Sequence, residues 1–148
     1  MLRLHTAIWL AGAMMPAAAV AQTPDPPTID CAVGFEGLRS AAQALPGAER
    51  GEDGGFETLT VSQPGTWRVE YGITTRWHPA YPAVTLRTFR KQVTGVWTAE
   101  SKSCGYGDQG QFATLVENMK AGDKELTDAS RAEVERQKAS RSPLAPPH

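Results

Sequence analysis

Along the chain, the spacing of apolar residues changes period twice. Phe35, Leu38, Ala41, Ala42 and Leu45 recur at helical intervals, and Pro46-Gly47 closes the run. That pattern predicts a first helix over 32–45. From residue 56 the period falls to two. FETLTVS is rich in β-formers, and Trp67, Val69, Tyr71 and Ile73 then alternate with Arg68, Glu70, Gly72 and Thr74. Such alternation places one face of a strand against a core and the other against water. Between the two runs, Gln63-Pro64-Gly65-Thr66 sets Pro and Gly at the second and third positions of a type II turn, which predicts a hairpin. VTLRTFR from Val84 and VTGVWTAES from Val93, linked by Lys91-Gln92, predict another. Phe112, Leu115, Val116 and Met119 return the spacing to helical ahead of Gly122 and predict a second helix over 109–121, capped by Asp108.

The remaining segments carry little apolar pattern. Residues 22–30 hold three prolines and read as an extended, mobile leader. GAERGEDGG over 47–55 holds four glycines and four charges, and reads as a solvated loop. TRWHPAYPA over 75–83 carries two prolines, which a central strand excludes. Beyond residue 122 the large apolar residues are few, Leu126 and Val134 in the part that can form a helix, so 123–148 is expected to be a polar tail, marginally helical to disordered and dispensable for folding, with Ser130 and Glu133 as a possible capping box. The domain is then a single α+β unit over 31–122: a small antiparallel sheet of about four strands with both helices packed on one face.

The first 21 residues change the setting. Arg3 precedes an uncharged apolar stretch from Thr6 to Ala19, and Ala19-Val20-Ala21 is a small-residue cleavage signal. This is the pattern of a signal peptide removed after Ala21, and the stretch, broken by Gly12 and Pro16, is short for a membrane span. The expected location is the periplasm, or outside the cell, with no stable membrane insertion after cleavage. Loss of Arg3 takes the formal charge from -1 to -2, which gives no general case for nucleic acid as a partner. Charge is uneven, however. Residues 22–63 hold seven acids and two bases, whereas 64–102 hold six bases and two acids. Arg68, Arg87, Arg90 and Lys91 are expected on the wet face of the sheet.

In an oxidising compartment two cysteines default to a disulfide, and Cys31 and Cys104 lack the C-x-x-C spacing of a redox pair. Their bridge also constrains topology. With four strands alternating up and down, the starts of the two helices would lie at opposite ends of the sheet. One connection, best 75–83, is therefore expected to cross the sheet.

Arg76-Trp77-His78-Pro79-Ala80-Tyr81-Pro82 is the most unusual stretch for chemistry. Aromatic rings give contact area at low entropic cost and Arg binds anions in bidentate fashion, so Arg76, Trp77, His78 and Tyr81 form the candidate binding set. The bland reading is a crossover whose aromatics cover the core. His78 is the one weak catalytic candidate, and no G-x-S-x-G elbow supplies a nucleophile. With His78 and the terminal His148 as the only histidines of the mature chain, neither a metal site nor a cofactor is expected. The expected function is a non-enzymatic binding or accessory module of the cell envelope, meeting an envelope protein or an anionic or peptide ligand. The alternatives are a small hydrolase using His78 with a carboxylate, and an inhibitor-type protein presenting loop 76–82.

Overall fold

A computed structural model describes residues 22–141. Residues 1–21, where a signal peptide is expected, and the last seven residues, 142–148, lie outside the described residues. After a 3-10 turn at Cys31–Val33 come helix α1 (Phe35–Gln43), five strands, β1 (Glu49–Asp53), β2 (Phe56–Gln63), β3 (Trp67–Thr74), β4 (Ala83–Lys91) and β5 (Trp97–Gly105), and helix α2 (Gln109–Arg141). All neighbours are antiparallel and the order is β1-β2-β3-β4-β5. No helix among the described residues is long and apolar enough to cross a membrane.

The strand count is five rather than four, because GAERGEDGG is not a loop. Gly54 and Gly55 both take positive φ, 55° and 85°, and Asp53 pairs with Phe56 across them. A two-residue Gly-Gly turn with both φ positive matches the natural twist of a hairpin, so ERGED folds back onto β2. Every residue of β1 is exposed, which is why no apolar alternation betrays it. The expected Pro64-Gly65 turn does form, with Gly65 at φ 69° and the Thr66 N–H donating to Gln63 O at 3.0 Å.

The fifth strand also resolves the topology. Cys31 and Cys104 are joined, with Cα atoms 5.3 Å apart. The extra strand supplies one more reversal, so the start of α1 and the end of β5 meet at the same end of a plain meander. No connection crosses the sheet, and residues 75–82 simply link neighbours β3 and β4.

Strand parity divides the packing. Leu59, Val69, Tyr71, Ile73, Val84, Leu86 and Cys104 form the main core with Leu38 and Ala42 of α1, and Ile29 of the leader joins them. The leader is tied down further by the Trp67 indole N–H donating to Pro24 O at 2.7 Å and by Lys102 Nζ donating to Ile29 O at 2.6 Å. Helix α2 meets the alternate positions. Its Leu115 packs with Ala83, Phe112 and Met119, and its Asp123 bonds Arg87 and Ser101. The expectation of both helices on one face therefore gives way to one helix against each set of strand positions.

Helix α2 runs 20 residues past its expected end at 121, to Arg141. Its inward stripe continues through polar residues. Asp123 is buried and accepts from Arg87 Nε at 2.7 Å and Ser101 Oγ at 2.7 Å. Thr127 Oγ1 accepts the Ala99 N–H at 3.0 Å, and Ser130 Oγ the Trp97 N–H at 2.8 Å. Ser130 is thus a mid-helix contact with β5 rather than a cap. Outward-facing pairs such as Lys124–Asp128 (2.6 Å) and Arg131–Asp128 (2.9 Å) join residues one turn apart on its exposed side. Gly122 lets this close approach happen, since a Cβ there would meet the Arg87 guanidinium at 2.8 Å.

Candidate functional site

The β3–β4 connection is held from both sides. Thr74 Oγ1 donates to Ala83 O (2.9 Å) and accepts from Ala83 N (2.8 Å), which closes the base of the loop. The Thr75 N–H donates to Gly55 O at 2.8 Å, tying the loop to the β1–β2 turn. Within it the His78 N–H donates to Thr75 O and the Tyr81 N–H to His78 O, both at 3.0 Å. Ala80 is buried against Ala83 and Leu115, and the Tyr81-Pro82 peptide is cis. A short loop with this many internal bonds presents its side chains from a fixed frame.

Those side chains part company. Trp77 is 85% exposed and Arg76 is also exposed. Tyr81 is 40% exposed, with its ring edge-on to Phe35 at 5.5 Å between centroids. His78 turns inward. Its ring lies 4.5 Å from that of Phe56, and its Nδ1 accepts the Ala80 N–H at 3.0 Å. Accepting at Nδ1 fixes the neutral tautomer with the proton on Nε2. Burial pushes the His78 pKa below its ordinary value of 6.5. Among the described residues no carboxylate is hydrogen-bonded to His78, so the ring props the loop against the hairpin. The arrangement brings Arg76, Trp77 and Tyr81 together at one mouth and turns His78 away from it.

That mouth opens on a cavity of about 330 Å³ between the loop, the start of α1 and the β1–β2 hairpin. Arg76, Trp77 and Tyr81 line it together with Phe35, Arg39, Glu52 and Glu57. Glu57 is already engaged: Gln43 Nε2 donates to it at 2.8 Å and Arg39 lies 3.6 Å away. Glu52 stands opposite Glu57 in the β1–β2 register. On its other side Trp77 borders a second hollow of about 400 Å³, with Glu52, Asp53 and Phe56. Sequence reasoning missed the residues from α1, β1 and β2. The signal that could have found Glu52 and Glu57 is the Gly54-Gly55 pair, which as a hairpin turn places them opposite each other.

The basic residues of the middle segment do not make one wet patch. Arg68 pairs with Glu70 at 2.9 Å and stacks 4.3 Å over Phe89, whereas Arg87 is half-buried against Asp123. Arg90, opposite Trp67 in register, falls on the other set of strand positions. No protein-family model, no curated protein and no solved structure matches this chain.

Proposed function

We propose that the mature chain, released after Ala21, is a non-enzymatic binding or accessory module of the cell envelope, working in the periplasm or outside the cell. Its contact surface is loop 76–82 with the cavity beside it. The observation that carries this reading is the exposure of Trp77, 85%, on a loop whose backbone is hydrogen-bonded at Thr75, His78, Ala80 and Tyr81. A large apolar ring held in water by a stiff frame covers no core. It loses little entropy when a partner arrives, and Trp, Tyr and Arg are the residue types that most often dominate interface energy. Arg76 supplies the bidentate donor for an acidic side chain or peptide carboxylate. The apolar stretch ahead of Ala19-Val20-Ala21 supports export, and the Cys31–Cys104 bridge fits an oxidising compartment. His78, engaged at Nδ1 by the Ala80 N–H, speaks for the binding reading over the hydrolase.

The test is co-purification from the envelope fraction, with a mature mass lacking residues 1–21. Trp77→Ala should weaken partner capture by about 2 kcal/mol or more and leave the melting midpoint where it was, because the ring is exposed. A variant that melts like wild type and retains every partner at wild-type strength removes Trp77 from the contact surface and the proposal with it.

A further inference from the structure

At the opposite end of the sheet, by the Gln63–Trp67 turn, lies a larger cavity of about 410 Å³. Small-molecule sites are mostly apolar hollows of roughly 300–1,000 Å³ with a few polar groups that fix orientation. Phe89 and Trp97 from the sheet and Leu126 from α2 supply the apolar wall. Leu126 is 41% exposed, in the stretch where α2 meets β5 through the hydroxyls of Thr127 and Ser130. Helix and sheet therefore hold this hollow open rather than closing an apolar seam.

Its charge is one-sided. Arg68 is the single charged residue that lines it, and Glu70, the partner of Arg68, faces a different groove. The Arg68 guanidinium carbon lies 4.3 Å from the centre of the Phe89 ring, and a single Nη2 contact to Glu70 leaves most of its five N–H donors unused. Ser130 also lines the cavity, and its Oγ accepts from the Trp97 N–H, which leaves the hydroxyl proton to be donated. An apolar wall, a cation fixed on an aromatic ring and a hydroxyl donor together call for a ligand with an apolar body and an anionic head.

We infer that the hollow between the Gln63–Trp67 turn and α2 binds a small anionic amphiphile, an acyl or aromatic carboxylate, with its body against Phe89, Trp97 and Leu126 and its head on Arg68. The site is independent of loop 76–82, at the other end of the strands.

The probe is decanoate, added to the full mature chain and followed by calorimetry and by the NMR indole N–H signals, with decanol as the uncharged control. Saturable one-to-one binding is expected, with the Trp97 indole signal moving and that of Trp77 staying still. Arg68→Gln should weaken decanoate about tenfold, the loss of one charge-assisted contact, and should leave decanol unchanged. Leu126→Trp should fill the hollow and weaken both. Both side chains are substantially exposed, so both variants should melt like wild type. The inference is overturned by decanoate that does not saturate, by decanol binding as tightly as decanoate, by a moving Trp77 signal with a still Trp97, or by variants that bind like wild type. The wild-type NMR arm decides even if a variant fails to fold.

Discussion

The two edges of the sheet are managed in opposite ways. At the β5 edge, the N–H groups of Trp97 and Ala99 are taken up by Ser130 and Thr127 of α2, the Arg87–Asp123 pair locks the helix to the sheet, and Cys104 bonds covalently to Cys31. At the β1 edge, five exposed residues stand in a row, and the side-chain tie is one Arg50 Nη2 donation to Gln43 O at 2.6 Å. An open strand edge invites pairing with other chains, and covering it or charging it are the two standard remedies. This chain uses one on each side. The difference teaches that a polar segment is not a spare one: ERGED protects by charge, whereas the polar stripe of α2 protects by filling the hydrogen-bonding needs of a strand.

The strongest way to break that contrast is to remove the cover. Truncation after Gly122 deletes Asp123, Thr127 and Ser130, and leaves Arg87 half-buried with no counter-charge. Breaking such a pair costs about 3–5 kcal/mol, and the lost edge bonds add about 1 kcal/mol each. A net loss of about 5 kcal/mol lowers the midpoint by on the order of 20 °C, or abolishes folding. The polar composition of 123–148 suggested that the tail is dispensable; the contacts lead to the opposite expectation. A truncated chain melting within a few degrees of wild type would show that β5 needs no cover.

Next comes the covalent tie. Cys31 and Cys104 are separated by 73 residues, and closing a loop of that length is worth about 4 kcal/mol in the chain-entropy account. The double change Cys31→Ser with Cys104→Ser should cost a few kcal/mol in denaturant midpoint with the slope retained. An unchanged midpoint would mean that α2 alone secures the β5 edge.

The same contrast explains what could be read from the sequence. The α+β class, the disulfide and the hairpin around Pro64-Gly65 were legible because apolar period, the count of two cysteines and turn chemistry each report them directly. Strand β1 was not, since none of its side chains is buried and alternation has nothing to mark. The outer part of α2 was not, since Asp123, Thr127 and Ser130 keep helical spacing in polar residues, and that stripe is invisible to a search for apolar ones. The face on which α2 packs was not legible for a related reason: its contacts with Arg87 and Ser101 run through Asp123, a polar residue. In the candidate site, Arg76, Trp77 and Tyr81 stood out as an aromatic, Pro-fixed run. Glu52 and Glu57 did not, because they reach the cavity only once β1 exists.

Finer cuts separate the two edges bond by bond. Thr127→Val keeps the shape and removes the acceptor for the Ala99 N–H, and Ser130→Ala does the same for Trp97. Each leaves a part-buried donor unpaired and should cost about 1–2 kcal/mol. Arg50→Ala, the matching change at the β1 edge, removes an exposed bond and should cost less than about 0.5 kcal/mol. Urea titration of the three variants side by side gives the comparison. Equal losses at both edges would erase the distinction between a covered and a charged edge.

The smallest effect tests how the β1 hairpin is held at all. The His78 ring packs on Phe56, and its loop bonds Gly55 through Thr75, so this contact is one of the few anchors of the β1–β2 turn. Burial lowers the folded pKa of His78 below the 6.5 of a free histidine. Between the lowered value and 6.5 the unfolded chain therefore binds more protons than the folded one, and folding stability rises with pH. The contribution is complete above about pH 6.5 and is lost as pH falls through the folded value. Protonation would also end the acceptance of the Ala80 N–H at Nδ1, which acts in the same direction. His78→Gln keeps an acceptor and removes the titration, so stability measured from pH 7.5 down to 5.5 should fall less steeply in the variant than in wild type. Carboxylates elsewhere in the chain contribute equally to both curves, and the difference isolates the imidazole. Identical slopes would mean that the His78 ring does not anchor the hairpin, and the turn would then be held by the Thr75–Gly55 bond and the backbone ladder.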